Sequence, residues 1–313
     1  MRDKVNSEPL DMQPDVSVII VNYLTTSLVI QCVESIFEKT EGINFEIIIA
    51  DNNSDPDFQA KISSGLSTRD ISLIKFVRLK DNIGYGNANN KAAENAKGRN
   101  LFFLNPDTLL LNNSIKFLSE FLDSHSEAGA CCGNLYNEKG EKIFSSRKFL
   151  PGVFWDFNEL FHGIPQKLIF YKHCNFNNSD HPVKMKFISG ADLMIKKVVF
   201  EDIGKFSPEF FLYYEDADLC FKLKKKHWKV FNVPAAKIMH LVSRSYLETN
   251  VKELNKFNFL ETGRHTYYKK NLNLFKRGIS NLLYVTFLWS RSILARDKSK
   301  REVYKERLKF FHK

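Results

Sequence analysis

Three carboxylates stand within four positions at Glu215, Asp216 and Asp218, directly after the aromatic run Phe210-Phe211-Leu212-Tyr213-Tyr214. Acids so close together, beside side chains that favour burial, repel one another and resist desolvation unless a cation or a proton transfer gives them a use. A helix dipole and capping account for one or two acids at a helix start, but not for the aromatic run before them. One of these carboxylates, in reach of an acceptor hydroxyl, would be a general base. A separate acid, Asp107, follows the apolar run Leu101-Phe102-Phe103-Leu104 within Asn105-Pro106-Asp107. Hard cations such as Mg²⁺ and Mn²⁺ take one or two carboxylates plus substrate phosphates, and Pro106 fixes the turn that presents Asp107. An ordinary Asx-Pro turn is the alternative there.

Two further stretches could touch a ligand. Asp51-Asn52-Asn53-Ser54 is either a turn and capping signal or a carboxylate placed to accept from a base imide or a ribose hydroxyl. Asn82-Ile83-Gly84-Tyr85-Gly86-Asn87-Ala88-Asn89-Asn90 combines glycines, which allow close backbone approach, with amide donors and acceptors at a helix start. It is neither GxGxxG nor a Walker loop, so dinucleotide and P-loop readings fail. His240, taken singly, reads as structural. His162, His173 and His181 lack metal-ligand spacing and read as solvated or core side chains.

The elements that must position these residues follow an α/β rhythm. Val16 to Val21 is a β-branched run suited to a strand buried on both faces. Thr25 or Thr26 caps a helix over about Ser27 to Glu38, and Phe45 to Ala50 is a second strand. A third strand is expected near Ile71 to Leu79, a helix over Tyr85 to Ala96, a strand over Asn100 to Leu104, a helix over Ile115 to Leu122 and a strand over Gly129 to Tyr136. Later come a strand over Met185 to Ile195, a helix near Val198 to Ile203 and a helix from about Asp216 to Lys226. Such alternation implies a mostly parallel sheet flanked by helices, with ligands at the carboxyl ends of its strands, where Asp51 and Asp107 sit.

Residues 1–14 read as a disordered leader, 15–248 as the α/β domain and 137–186 as an irregular insertion on the acceptor side. Residues 249–313 read as a helical basic extension. Residues 252–313 hold 16 Lys/Arg against 5 Asp/Glu, so the net charge of +10 belongs to this tail. The apolar stretch Ile279 to Ala295, flanked by basic residues, suits either an anionic membrane surface or helices packed on the domain with a solvated basic face. No secretory signal and no run of 18 apolar residues is present, and no nucleic-acid partner is expected. The five cysteines, Cys32, Cys131, Cys132, Cys174 and Cys220, read as buried thiols in a reducing cytosol.

Taken in order, Val16 to Tyr23, Asp51 to Ser54, Asn82 to Asn90, Asn105 to Asp107, Ser189-Gly190-Ala191, Phe211 to Cys220 and His240 resemble the family 2 inverting glycosyltransferases of GT-A fold. They resemble in particular the rhamnosyltransferase-like branch of bacterial surface-polysaccharide assembly, over about Val16 to Ser245. The resemblance implies that Asp216 is the catalytic base, with Glu215 and Asp218 supporting. It implies a nucleotide-sugar site of Asn22, Asp51, Asn82, Gly84, Asn87, Asn105, Asp107, Gly190 and Ala191, and Mg²⁺ or Mn²⁺ held by Asp107 and His240. It also implies a nucleoside-diphosphate sugar donor, a lipid-linked oligosaccharide acceptor, and a cytoplasmic location at the inner face of the cell membrane. Two departures stand out: Asn105-Pro106-Asp107 replaces Asp-x-Asp, and His227 stands where glycine is usual. A sugar-nucleotide nucleotidyltransferase would want a basic glycine-rich loop where Val21-Asn22-Tyr23-Leu24 stands. Intact Asp107 and Asp216 argue against a non-catalytic, membrane-bound glycan-binding subunit.

Overall fold

The computed structural model describes residues 13–67, 71–171, 175–241, 253–309 and 311. Most of the expected leader, His173, Cys174 and the segment where the tail begins lie outside the described residues. The strands are β1 (Val16–Asn22), β2 (Phe45–Asp51), β3 (Ile74–Arg78), β4 (Asn100–Leu104), β5 (Thr108–Leu110), β6 (Ala128–Tyr136), β7 (Ser146–Arg147), β8 (Val183–Met185), β9 (Phe187–Ile188), β10 (Asp192–Lys196) and β11 (Lys229–His240). The main sheet runs β3-β2-β1-β4-β10-β6-β11-β5, with β8 also paired to β11. The first four strands are parallel, from Val16↔Phe45 to Asn22↔Asp51 between β1 and β2. β10 then runs antiparallel between β4 and β6, and β11 is parallel to β6.

All seven residues of β1 are buried, which is why apolar residues recur on both of its faces, with Ser17 satisfied by Glu46 (2.6 Å). Its side chains alternate between two cores. Val18 and Ile20 pack with Val29, Val33 and Leu118, while Ile19 packs with Ala92, Phe103 and Phe206. The flanking helices are α1 (Thr26–Lys39), α2 (Phe58–Gly65), α3 (Tyr85–Ala93), α4 (Ser114–Ser124), α7 (Lys197–Asp202) and α8 (Glu215–Lys225). Cys32, Cys131, Cys132 and Cys220 are free and buried, and burial pushes each thiol above its usual range.

The structure departs from the expected elements at several places. The strand expected over Met185 to Ile195 is three pieces, β8, β9 and β10, broken at Ser189-Gly190-Ala191. The backbone groups of Gly190 are taken by side chains: its N–H donates to Asp216 Oδ2 (3.1 Å) and its carbonyl accepts from Tyr85 Oη (2.9 Å). No ladder can run through a residue bonded this way. The third strand is shorter than expected, because Ile71–Leu73 forms a 3₁₀ turn before β3. β5 and β11 were not expected; Pro234 obscures β11, and the ladder to β6 shifts register between Asn232 and Lys237 to accommodate it.

The stretch 137–186 is not irregular in its described part. It contains β7, α5 (Val153–Leu160) and α6 (Ile164–Phe170), and β7 pairs antiparallel with β9. Its aromatic residues have no sequence period because they gather in three dimensions: Arg147 lies 3.9 Å over the Trp155 ring, and Phe149 meets Phe154 edge-on and stacks against Phe170. The tail forms α9 (Glu253–Asn271), α10 (Leu274–Leu294) and α11 (Lys298–Lys309). α9 packs on α8, and α10 packs between α5 and α11. Buried Arg264 on α9 reaches Asp156 on α5 (3.3 Å), which also accepts from Tyr268 Oη (2.8 Å).

Candidate active site

Because β1, β2 and β4 are parallel, Asn22, Asp51 and Leu104 end at one edge of the sheet. The antiparallel pairing Asp192↔Leu104 brings the start of β10, and so Gly190 and Ala191, to that same edge. Pairing of His240 with Thr108 brings the end of β11 beside Asp107. Three groups of residues assemble there.

The first joins β1 and β2 to the glycine loop. Asn22 Nδ2 donates to Asp51 Oδ1 (2.9 Å), and Ser54 closes the carboxylate with its N–H (3.1 Å) and its hydroxyl. Asp51 is fully buried. Asn52 then bridges outward, its Nδ2 donating to Asn82 Oδ1 (2.8 Å) and its Oδ1 accepting from Ile83 N–H (3.0 Å). Asn82 Oδ1 also accepts from Gly84 N–H (3.1 Å). Gly84 adopts φ +86°, and a Cβ there would lie 2.3 Å from the Phe211 carbonyl oxygen. Only glycine permits both the backbone and the contact.

The second group centres on Asp216. Its carboxylate accepts from Gly190 N–H (3.1 Å) and Ala217 N–H (2.7 Å). One residue on from Gly190, the Ala191 carbonyl accepts from Asn105 N–H (2.9 Å), so the Ser189-Gly190-Ala191 break joins Asp216 to the Asn105-Pro106-Asp107 turn. Burial raises the Asp216 carboxyl above the ordinary range, and the two N–H bonds oppose that rise. Glu215 is raised by burial and then by the charge of Asp216 beside it. Only 6% of Glu215 is exposed, and Oε2 has no hydrogen-bond partner among the described residues.

The third group is Asp107 and His240, with Nε2 3.2 Å from Asp107 Oδ1 and Leu241 N–H donating to the Asp107 carbonyl (2.8 Å). An oxygen and an imidazole nitrogen suit Mn²⁺ and, less well, Mg²⁺. Their separation is close to the ~3.0 Å between neighbouring ligands of a six-coordinate ion at about 2.1 Å. No group of three His, Cys, Asp or Glu able to hold a metal occurs among the described residues. The pair fits an ion whose remaining ligands come from phosphates and water.

Two expected site residues are engaged elsewhere. The Asn87 amide donates to the Ile83 and Pro208 carbonyls, tying α3 to the segment before α8. Asp218 is fully buried with its carboxylate turned to Ser207 Oγ (2.5 Å), Asn271 Nδ2 (2.8 Å) and Lys270 Nζ (3.3 Å). It anchors α9 instead of supporting Asp216 directly. Sequence reasoning did not single out Asn52 or Tyr85 as site residues, although both lie inside stretches flagged there. An amide at a strand end and a tyrosine at a helix start carry no signal of their partners, which come from other elements.

Glycosyl transferase family 2 matches residues 17–203, more than half of the chain. The chain belongs to this family. Among relatives of this glycosyl transferase family 2 chain, the N-acetylglucosaminyl-diphospho-decaprenol L-rhamnosyltransferase of Mycobacterium tuberculosis is 26% identical over 219 residues, 62% of this chain and 66% of that protein. The chain thus spans just under two thirds of that relative's length. The low-salt glycan biosynthesis hexosyltransferase Agl10 of Haloferax volcanii is 23% identical over 287 residues, 90% of this chain and 83% of that protein. The crystal structure of GalNAc-T7 with UDP, GalNAc and Mn²⁺ superposes with TM-score 0.59 at 15% identity, covering 96% of this chain and 56% of that one. This likeness shows the fold, which is GT-A-like, as the family resemblance implied.

Proposed function

We propose that this family 2 member transfers a sugar from a nucleoside-diphosphate donor to a hydroxyl of a lipid-linked glycan in surface-polysaccharide synthesis, with inversion, at the cytoplasmic face of the membrane. The observation that carries the reading is the Ser189-Gly190-Ala191 break, which joins Asp216 on one side to the Asn105-Pro106-Asp107 turn on the other. In this reading the nucleoside lies over the Asn22, Asp51 and Asn82 group, and Gly84 seats that loop against Phe211. Asp107 and His240 hold the divalent ion, which when bound offsets charge on the diphosphate. Asp216 takes the proton of the acceptor hydroxyl as that oxygen bonds to the anomeric carbon. The bond from that carbon to the diphosphate oxygen breaks in the same in-line step, and the nucleoside diphosphate leaves. The name of the mycobacterial relative makes rhamnose the first donor sugar to test.

The test is turnover of a panel of sugar nucleotides with a prenyl-diphosphate-linked saccharide. Asp216→Asn should lower kcat by about 10³-fold or more, with donor binding nearly unchanged, since proton abstraction and binding are separate roles. Near-wild-type transfer by Asp216→Asn would sink the assignment. Chelation should stop transfer and Mn²⁺ or Mg²⁺ restore it, while Asp107→Ala should weaken nucleoside-diphosphate binding measured by calorimetry. Full activity in excess chelator would remove the metal from the reading.

A further inference from the structure

α10 presents two opposite stripes. Ser280, Tyr284, Leu288 and Ser292 point inward and are buried. Phe275, Leu282, Trp289 and Ile293 recur at helical spacing on the outward side and are 76%, 69%, 59% and 49% exposed. A helix that covers a domain in water carries polar residues outward. α10 does the reverse, with no charged residue between Arg277 and Arg291. The outward stripe from Phe275 to Ile293 is ~27 Å long.

A second exposed apolar set lies on a neighbouring helix. On α6, Ile164, Leu168 and Ile169 are 56%, 80% and 62% exposed. The turn that starts this helix is held against the last turns of α10, where Arg291 Nη2 meets His162 Nδ1 at 2.8 Å. Basic residues bracket the surface: Lys276 and Arg277 at one end of α10, and Arg296, Lys298, Lys300 and Arg301 past the other.

We propose that the outward face of α10 and the exposed side of α6 form one docking surface that lies in the plane of an anionic lipid bilayer. The proposal rests on the lipid-linked acceptor for its purpose, but its observations are independent of the catalytic site. Apolar side chains flanked by lysine and arginine match the acyl boundary and the phosphate headgroups above it. No helix among the described residues is long and apolar enough to cross a membrane, which leaves α10 lying along the surface. Because apolar insertion is not screened by salt, attachment is only partly released as ionic strength rises, unlike attachment by charge alone. The helical insertion and the tail act here as one surface.

The test is cosedimentation of the full-length protein with vesicles of phosphatidylcholine containing phosphatidylglycerol, and with phosphatidylcholine alone, at low and high salt. Binding to the phosphatidylglycerol vesicles should persist in part at high salt. The triple substitutions L282Q/W289Q/I293Q and I164Q/L168Q/I169Q should each weaken it about tenfold or more, with an unchanged thermal midpoint. Vesicles with brominated acyl chains should quench tryptophan fluorescence in the wild type and much less in W289F. Absence of wild-type binding, wild-type-like binding by either triple variant, or complete release by salt without quenching would overturn the proposal. Wild-type self-association without vesicle binding, lost in L282Q/W289Q/I293Q, would assign the face to a second copy and overturn it equally. A short-chain, water-soluble acceptor separates the two readings, since its turnover should survive in both triple variants. Turnover without vesicle binding removes only the docking surface; vesicle binding without turnover removes only the transferase reading.

Discussion

Glu215 and Asp216 are adjacent in the chain and differ in what surrounds them. Glu215 is buried with one oxygen lacking a hydrogen-bond partner, while two N–H groups stabilise the charged form of Asp216. Burial raises both, and the charge of Asp216 raises Glu215 further. Pairs of acids whose surroundings differ in this way separate into a proton holder and a charge bearer, and Glu215 is the holder. Acid loss of kcat should therefore set in above the ordinary aspartate value of about 3.9. Glu215 already holds its proton where Asp216 titrates, so Glu215→Gln removes no charge there and the acid limb of kcat should stay nearly where it is. The substitution should show in stability instead. Folded Glu215 keeps a proton that the unfolded chain releases above about pH 4.3, so this residue lowers stability progressively as pH rises from there to its raised folded value. Urea unfolding of Glu215→Gln against wild type should show an advantage to the variant that grows across that window. An advantage that shrinks with rising pH would contradict a raised Glu215.

At the scale of elements, the start of α8 is held under strain. Tyr213 and Tyr214 both adopt φ +69°, a left-handed conformation that costs each non-glycine residue roughly 1–2 kcal/mol. α9 is seated on that turn. A Cβ on Gly263 would lie 2.5 Å from the Tyr213 carbonyl oxygen, Tyr267 packs on the Tyr214 ring at 5.7 Å, and Asn271 holds Asp218. A helix from the tail thus positions the turn that presents Asp216. Gly263→Ala should push α9 away, lowering stability by about 1–3 kcal/mol as overpacking does. It should also lower kcat about tenfold or more while the donor KM stays nearly constant, because the proposed base, Asp216, moves and the proposed nucleotide site does not. Wild-type kcat in this variant would show that α9 has no positioning role. The end of α8 explains one departure from the family: His227 has φ +65° after the helix, a position that glycine fills without a Cβ penalty.

At the scale of the molecule, the tail is part of the fold. Tyr267 and Tyr268 of α9 are buried in the core that also holds Phe103 and Phe206. Arg264 joins α9 to α5 through Asp156 and lies 3.9 Å over the Tyr284 ring of α10. Glu261 accepts from Tyr284 Oη (2.6 Å) and from Arg307 Nε of α11 (2.7 Å). Buried charges in such a network must stay paired, since removing one partner leaves the other desolvated. The helical reading of the tail and the packing of its helices on the domain therefore hold together, while its outward face remains apolar and its ends basic.

Strands β1, β2 and β4 were legible in the chain alone, because a strand covered on both faces is dominated by β-branched and large apolar residues, and in these three only Ser17, Asn22, Glu46, Asp51 and Asn100 are polar. The succession of Asp51, Asn82, Asp107, Gly190, Asp216 and His240 was legible too, as order and spacing are properties of the chain. What their side chains do was decided by tertiary structure. Asp218 looks like a third active-site acid until Asn271, 53 residues later, is seen to hold it. Gly190 falls within an apparent strand until Tyr85, 105 residues earlier, takes its carbonyl. Apolar periodicity in α10 shows that the helix is amphipathic, but the stripe that is covered depends on where α5 and α11 lie. Local sequence reports the intrinsic preference of a segment for burial and conformation; hydrogen bonds and contacts between distant segments decide which preference is satisfied, and by whom.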